Sequence, residues 1–264
     1  MYINNQKLCV RRFSSGECKF IKSTLDGFID SNKVKILYEN EYSFLELLII
    51  LNYYKSKNVI IDLILSYLPY QRMDHRDCDE LDTVNYIANI LNSLNLNSIT
   101  ICEPHCDISN FKNSKKYSLV HNIKDMVFEN IGFNESCDIV VLPDKGGVRR
   151  YGDIAKNIVY FNKVRDDRTG LIVKHEIVGK IKGCSKVLII DDIISTGDTI
   201  VNIIEELEKN GIEEIYILSG HIEDNQYNER IFNYSSVVRV YSTNSLKKCQ
   251  NNKLELFNVV DLLM

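Results

Sequence analysis

Only three prolines occur in 264 residues, at positions 69, 104 and 143, and there is no tryptophan. No stretch is dominated by proline, glycine or charge of one sign, so composition marks no part of the chain as disordered. No apolar run approaches the roughly 18 residues of a membrane span, which excludes a spanning helix and gives no reason to expect a membrane partner. The formal net charge of −4 leaves no basic excess, which argues against a general nucleic-acid binder. The eight cysteines include no Cys-x-x-Cys pair and follow no secretory leader, so they read as reduced thiols in a cytoplasmic protein. Cys102 and Cys106 flank His105, but no second cluster completes a zinc site.

What is present fits a soluble globular protein, 45% apolar and 26% charged. The length suits two domains of about 130 residues, each able to bury a core. The chain is organised around residues 187–200. Four apolar residues, 187–190, predict a strand buried on both faces, with Asp191 and Asp192 following at its carboxyl end. Ser195, Thr196, Gly197, Asp198 and Thr199 then form a small loop ahead of a helical pattern, Ile200, Ile203, Ile204 and Leu207. Such a loop can cradle a phosphate: its N–H groups and hydroxyls bond the oxygens, the helix dipole favours an anion, and Gly197 permits close approach. The neighbouring carboxylates suit the vicinal hydroxyls of a ribose. The same residues also fit a plain strand, capped turn and helix, but paired acids after a buried strand are costly unless they bind something.

The rest of the chain repeats this design. A turn at 13–17 precedes expected strands at 18–22 and 34–38. Phe44, Leu47, Leu48 and Leu51 keep helical spacing behind a capping box, Ser43 with Glu46. A strand at 59–65 leads into a polar, basic stretch at 66–76, Asp82 or Thr83 caps a helix, and a strand at 98–102 runs into Glu103, Pro104 and His105. The second half has an expected strand at 138–142, a polar segment at 143–150, a short helix at 151–157, a strand at 158–161 and a charged loop at 162–168. Strands at 215–218, 237–241 and 254–259 complete the pattern. Alternating strands and helices predict an α/β fold with mainly parallel sheets flanked by helices, divided near residue 125 into domains 1–125 and 126–264. Ligands bind at the carboxyl edge of such sheets, so five polar strand ends (71–76, 103–107, 144–150, 162–168 and 191–199) could converge on one cleft.

In order and content these motifs resemble the synthetases of 5-phosphoribosyl diphosphate (PRPP), the ribose-phosphate diphosphokinases. The resemblance runs through the turn Phe13-Ser14-Ser15-Gly16-Glu17, the helix at 45–48, Tyr67-Leu68-Pro69-Tyr70 with Arg72 and Asp74, and the Pro104-His105 pair. It continues through Pro143-Asp144-x-Gly146-Gly147-Val148-x-Arg150, Lys163-x-Arg165 and Asp191-Asp192. The last segment taken alone is equally similar to type I phosphoribosyltransferases, which have one such domain and leave the first half unexplained. The resemblance implies two tandem type I phosphoribosyltransferase-like domains, with ATP on the first and ribose phosphate on the second. It implies transfer of the β,γ-diphosphoryl group of ATP to the anomeric hydroxyl of ribose 5-phosphate. Lys163, Arg165 and His105 would be catalytic, with Lys163 and Arg165 clamping the charge of the transferred group. Phe13, Glu17, Arg72, Asp74, His75 and His105 would meet ATP, Phe13 and Glu17 from a neighbouring subunit of a homo-oligomer, dimer or hexamer. Asp191, Asp192, Ser195, Thr196, Gly197, Asp198 and Thr199 would hold the ribose phosphate. His105 and Asp144 would hold Mg²⁺, a cation that tolerates few protein ligands.

Departures from the family pattern are informative. Met73 and His75 stand where the family has Gln and a second Arg, and Ser15 where it has Asp. In the phosphate loop Ser195 replaces Asp and Asp198 replaces Gly. A phosphomonoester carries about −1.5 to −2 charges. An acid roughly 6 Å away would repel each unit of that charge by about 3 kcal/mol at an effective dielectric of about 20. Asp198 either caps the following helix and leaves ribose 5-phosphate as acceptor, or marks an esterified phosphate, as in ADP-ribose, linking the chain to NAD metabolism. A third possibility is a non-catalytic regulatory homologue, against which the retained Lys163, Arg165, His105 and Asp144 argue.

Overall fold

Short, turn-rich segments open the chain. Strands β1 (Tyr2–Ile3) and β2 (Gln6–Lys7) are joined by Asn4 and Asn5, whose φ values of 47° and 66° are those of a tight two-residue hairpin. A second hairpin, β3 (Arg11–Arg12) and β4 (Cys18–Lys19), and a one-turn helix, α1 (Lys22–Asp26), follow. The expected strand at 18–22 is therefore only two residues long. Then come β5 (Lys33–Tyr38), α2 (Phe44–Ser56), β6 (Ile60–Leu65), α3 (Thr83–Asn92), β7 (Ser98–Cys102) and β8 (Ser114–Tyr117). The structure is a computed structural model that describes residues 1–39, 41–73, 80–165, 172–181, 183, 186–246 and 251–264, without the side chains of 163–165 and 172–176.

The strands form a six-stranded sheet in the order β2-β1-β5-β6-β7-β8, parallel from β5 to β8. Apolar runs in β5 and β6 are covered by α2 and α3, and Leu47, Ile50, Leu51, Ala88 and Leu91 are fully buried. The acid that interrupts the apolar run of β6 has a structural reason. Asp62 accepts from Lys33 Nζ and Ser98 Oγ, each at 2.6 Å, and from Asn97 Nδ2 at 2.7 Å, so it ties three strands together on the sheet surface. At the start of α2, Ser43 Oγ accepts from the Glu46 N–H at 3.2 Å and Glu46 Oε2 accepts from the Ser43 N–H at 2.8 Å, the expected capping box. Asp82, rather than Thr83, caps α3.

The second half comprises α4 (Leu119–Ile131), β9 (Ile139–Leu142), α5 (Lys145–Tyr151), β10 (Ile158–Arg165), β11 (Ile172–Val178), β12 (Val187–Ile194), α6 (Asp198–Lys209), β13 (Ile215–Ile222), a 3₁₀ helix (Asn228–Asn233), β14 (Val237–Thr243) and β15 (Leu254–Phe257), with α7 (Val259–Leu263) last. Seven strands lie in the order β11-β10-β9-β12-β13-β14-β15. All pair in parallel except β10 with β11. Contacts divide the chain into two compact units, Met1–Ser118 with Asn258–Met264, and Leu119–Phe257. Residue 125, the expected division, falls inside α4.

Three sequence expectations are corrected here. The helix placed at 151–157 lies at Lys145–Tyr151, because Asp144 accepts from the Gly147 N–H and starts the helix directly after β9. The charged loop at 162–168 begins as strand: β10 runs on to Arg165, with Lys163 opposite His175 of β11. Asp191 and Asp192 lie inside β12 rather than after it. Pairing with β13 continues past them, Asp191 beside Ser219 and Ile193 beside His221, and both Ile193 and Ile194 are buried.

Candidate active site

In the second unit, β9 and β12 are adjacent and parallel, so Asp144 and the Asp191–Asp192 pair emerge on the same sheet edge. Asp144 Oδ1 accepts from the Gly147 N–H at 3.0 Å. A Cβ on Gly146 would stand 2.9 Å from that oxygen, so the glycine makes room for the carboxylate. From the far end of α5, Arg150 Nη2 reaches Asp192 Oδ1 at 3.3 Å. Burial works to lower the Arg150 guanidinium, but the charge of Asp192, with contributions from Tyr151, Asp191 and Asp144, outweighs it and holds the group above its usual range. Asp192 is 2% exposed. Asp191 accepts from the Asp192 N–H at 2.9 Å, and burial, then the neighbouring negative charge, pushes its carboxyl well above the usual range. With Arg150 on Asp192 and the Asp192 N–H on Asp191, the pair keeps carboxyl oxygens that can accept from hydroxyls. Arg150 closes the Pro143–Arg150 motif without a role legible there, and its only sequence signal is a cation one short helix away from Asp144.

After β12 the chain turns through Ser195, Thr196 and Gly197 into α6. Gly197 is the cap residue at φ 80°, and a Cβ there would come within 2.9 Å of Ile231 Cδ1. No side chain of the cap residue accepts from the first amides of α6, which leaves that end suited to an anion. The loop is held from outside by residues following β13. Ser195 Oγ donates to Glu223 Oε2 at 2.7 Å, and the Ser195 carbonyl accepts from Asn225 Nδ2 at 3.2 Å and Asn228 Nδ2 at 3.1 Å. Arg230 Nη2 donates to the Thr196 carbonyl at 3.1 Å and pairs with the Asp198 carboxylate. Asp198 is thus the first helical residue and not the cap, and the alternative in which it caps α6 is corrected. Hydrogen bonds from the Thr196 hydroxyl and then Arg230 hold its carboxyl below the usual range. Arg230 was not foreseen, because a contact 32 residues away leaves no local sequence pattern.

In the first unit, the turn at 13–17 closes with Phe13 N–H donating to the Glu17 carbonyl at 2.9 Å. Arg12 fastens it, donating to the Gly16 carbonyl at 2.7 Å and to Glu46 Oε1 at 3.0 Å. Between turn and α2 lies a cavity of about 660 Å³ lined by Phe13, Glu17, Arg12, Ser43, Leu45 and Glu46, a size that suits a small ligand. The loops after β6 and β7 meet where Gln71 Oε1 accepts from the His105 N–H at 3.0 Å. His105 is half-buried and Arg72 exposed. Asp74 and His75 lie outside the described residues, as do the side chains of Lys163 and Arg165.

Among the described residues no three or more His, Cys, Asp or Glu side chains cluster as a preformed cation cage would. Asp144, with its carboxylate at the sheet edge, fits Mg²⁺ held by one or two protein ligands with waters and substrate phosphates completing the shell.

Parallel sheets flanked by helices, with paired acids leading into a hydroxyl-bearing turn at a helix start, define a phosphoribosyltransferase-type α/β protein. The phosphoribosyl transferase domain family matches residues 111–242. The chain is 30% identical over 260 residues to a ribose-phosphate pyrophosphokinase of Staphylococcus epidermidis, covering 94% of this chain and 79% of the relative. It is 30% identical over 264 residues to that of Bacillus subtilis, covering 95% and 81%. The phosphoribosylpyrophosphate synthetase of Mycobacterium smegmatis shares the fold with a TM-score of 0.77 at 21% identity, over 97% of this chain and 87% of that one. The chain belongs to the ribose-phosphate pyrophosphokinase family and is an enzyme of the transferase class.

Proposed function

We propose that the chain transfers the β,γ-diphosphoryl group of ATP to ribose 5-phosphate. The anomeric oxygen attacks the β-phosphorus, the bond from that phosphorus to the α,β-bridging oxygen breaks, AMP leaves, and the hydroxyl proton passes to solvent. The observation that carries this reading is the Asp191–Asp192 pair leading into the Gly197 turn at the start of α6, in a chain whose relatives are ribose-phosphate pyrophosphokinases. Asp191 and Asp192 accept from the ribose hydroxyls, and the 195–199 loop holds the 5-phosphate. Lys163 and Arg165 clamp the transferred group, while His105 and Asp144 hold Mg²⁺, which neutralises phosphate charge when bound. Phe13, Glu17, Arg72, Asp74 and His75 serve ATP, and a cytoplasmic homo-oligomer that supplies Phe13 and Glu17 across subunits belongs to the same reading.

The acceptor turns on the charge at Asp198. Arg230 balances that carboxylate, so the repulsion that spoke for an esterified phosphate is largely cancelled, and ribose 5-phosphate is favoured over ADP-ribose. A paired assay with ATP and Mg²⁺ tests this by following AMP release. AMP is expected chiefly with ribose 5-phosphate. AMP chiefly with ADP-ribose would reverse the acceptor, and silence with both would favour a regulatory homologue.

A further inference from the structure

Gln71 is fully buried, yet its side-chain Nε2 has no hydrogen-bond partner. Its orientation is fixed from the other end. Oε1 accepts from the His105 N–H at 3.0 Å, and turning the amide over would set its NH₂ against that N–H, donor against donor. The donor is therefore held away from the His105 backbone at the carboxyl ends of β6 and β7, the neighbouring parallel strands that carry both loops. Each loop also holds a residue in the left-handed region, Tyr70 at φ 61° and Glu103 at φ 40°, so the arrangement is kept against a local backbone cost. A buried amide donor without an acceptor is unfavourable, whereas an apolar side chain of similar shape carries no such cost. A methionine would fill the space; a glutamine there implies an acceptor that arrives with a ligand.

We infer that Gln71 donates Nε2–H to a phosphate oxygen of the bound nucleotide, adding a polyphosphate ligand beside Arg72 and His105. The inference rests on the nucleotide reading of the first unit proposed above. An anionic oxygen is the acceptor that most strengthens such a bond, and Gln71 lies next to Arg72 in the chain and on the backbone of His105. Gln71 also offers an amide two residues before Met73, where the resemblance led one to expect a glutamine.

Gln71→Glu separates the two ends of the side chain: one carboxylate oxygen still accepts from the His105 N–H, while the donor becomes an anion facing the phosphates. Titration of the full chain with Mg-ATP is expected to show binding weakened about tenfold or more in the folded variant, with ribose 5-phosphate binding near wild type. Gln71→Met, uncharged and unable to donate, is expected to weaken Mg-ATP likewise and keeps the test decisive if the Glu variant does not fold. Unchanged Mg-ATP affinity in either folded variant overturns the inference, as does equal loss of both ligands. A wild-type chain that binds ribose 5-phosphate but not Mg-ATP overturns the nucleotide reading itself, and this inference with it.

Discussion

Asp191 lies in a paired strand beside the almost fully buried Asp192, and its elevated carboxyl means that ionising it costs folding stability. The sign follows from linkage. A carboxyl raised above its unfolded value carries no penalty below about pH 4, and the penalty grows as pH rises through the folded value. Asp191→Asn keeps an oxygen for the Asp192 N–H but removes the charge. The variant is expected to melt about 2–4 °C above wild type at pH 8 for each kcal/mol relieved, with the gain vanishing towards pH 4. Ribose 5-phosphate binding should be lost at the same time. Scanning calorimetry across pH checks the first outcome and titration the second; a variant less stable than wild type at pH 8 refutes the account. Arg150 and Arg230 answer the same problem differently, each placing a cation on one carboxylate of the site.

Elements were legible in the sequence where the signal is local. The capping box at Ser43 and Glu46 names both ends of its own hydrogen bonds, and the structure returns them. Because Glu46 also receives Arg12 from the hairpin at 11–19, this helix start carries more than its own cap. Ser43→Ala is expected to lower the unfolding free energy of the first unit by about 1 kcal/mol, read from urea midpoints. No shift would show that Arg12 alone holds Glu46. Elements whose limits depend on a neighbour were less legible. The end of β12 is set by β13, eight residues long and buried throughout, and nothing within 187–194 says that the ladder continues past two acids. The start of α5 depends on Asp144, a carboxylate whose resemblance-derived role is to hold metal. Its place at a strand end is legible in the sequence, whereas its duty as a helix cap depends on where α5 begins. Gln71 left no sequence signal, since its meaning lies in an unpartnered atom.

At the scale of the molecule, the last seven residues belong to the first unit. Lys35 Nζ donates to the Leu263 carbonyl at 2.8 Å, Tyr117 OH donates to the Leu262 carbonyl at 3.1 Å, and Val259 is fully buried. Removing residues 258–264 is therefore expected to speed hydrogen exchange in β5 and β8 while leaving β12 and β13 protected. Faster exchange confined to the second unit would contradict the division. The order in which a ribosome delivers the chain gives this return a further consequence. Residues 1–118 are made before 119–257, and the helix that finishes their packing follows after all of 119–257. During synthesis the leading half holds all of its strands early yet waits for its closing helix until the whole second unit has been made, so its full protease resistance is expected only after residues 119–257 have been added.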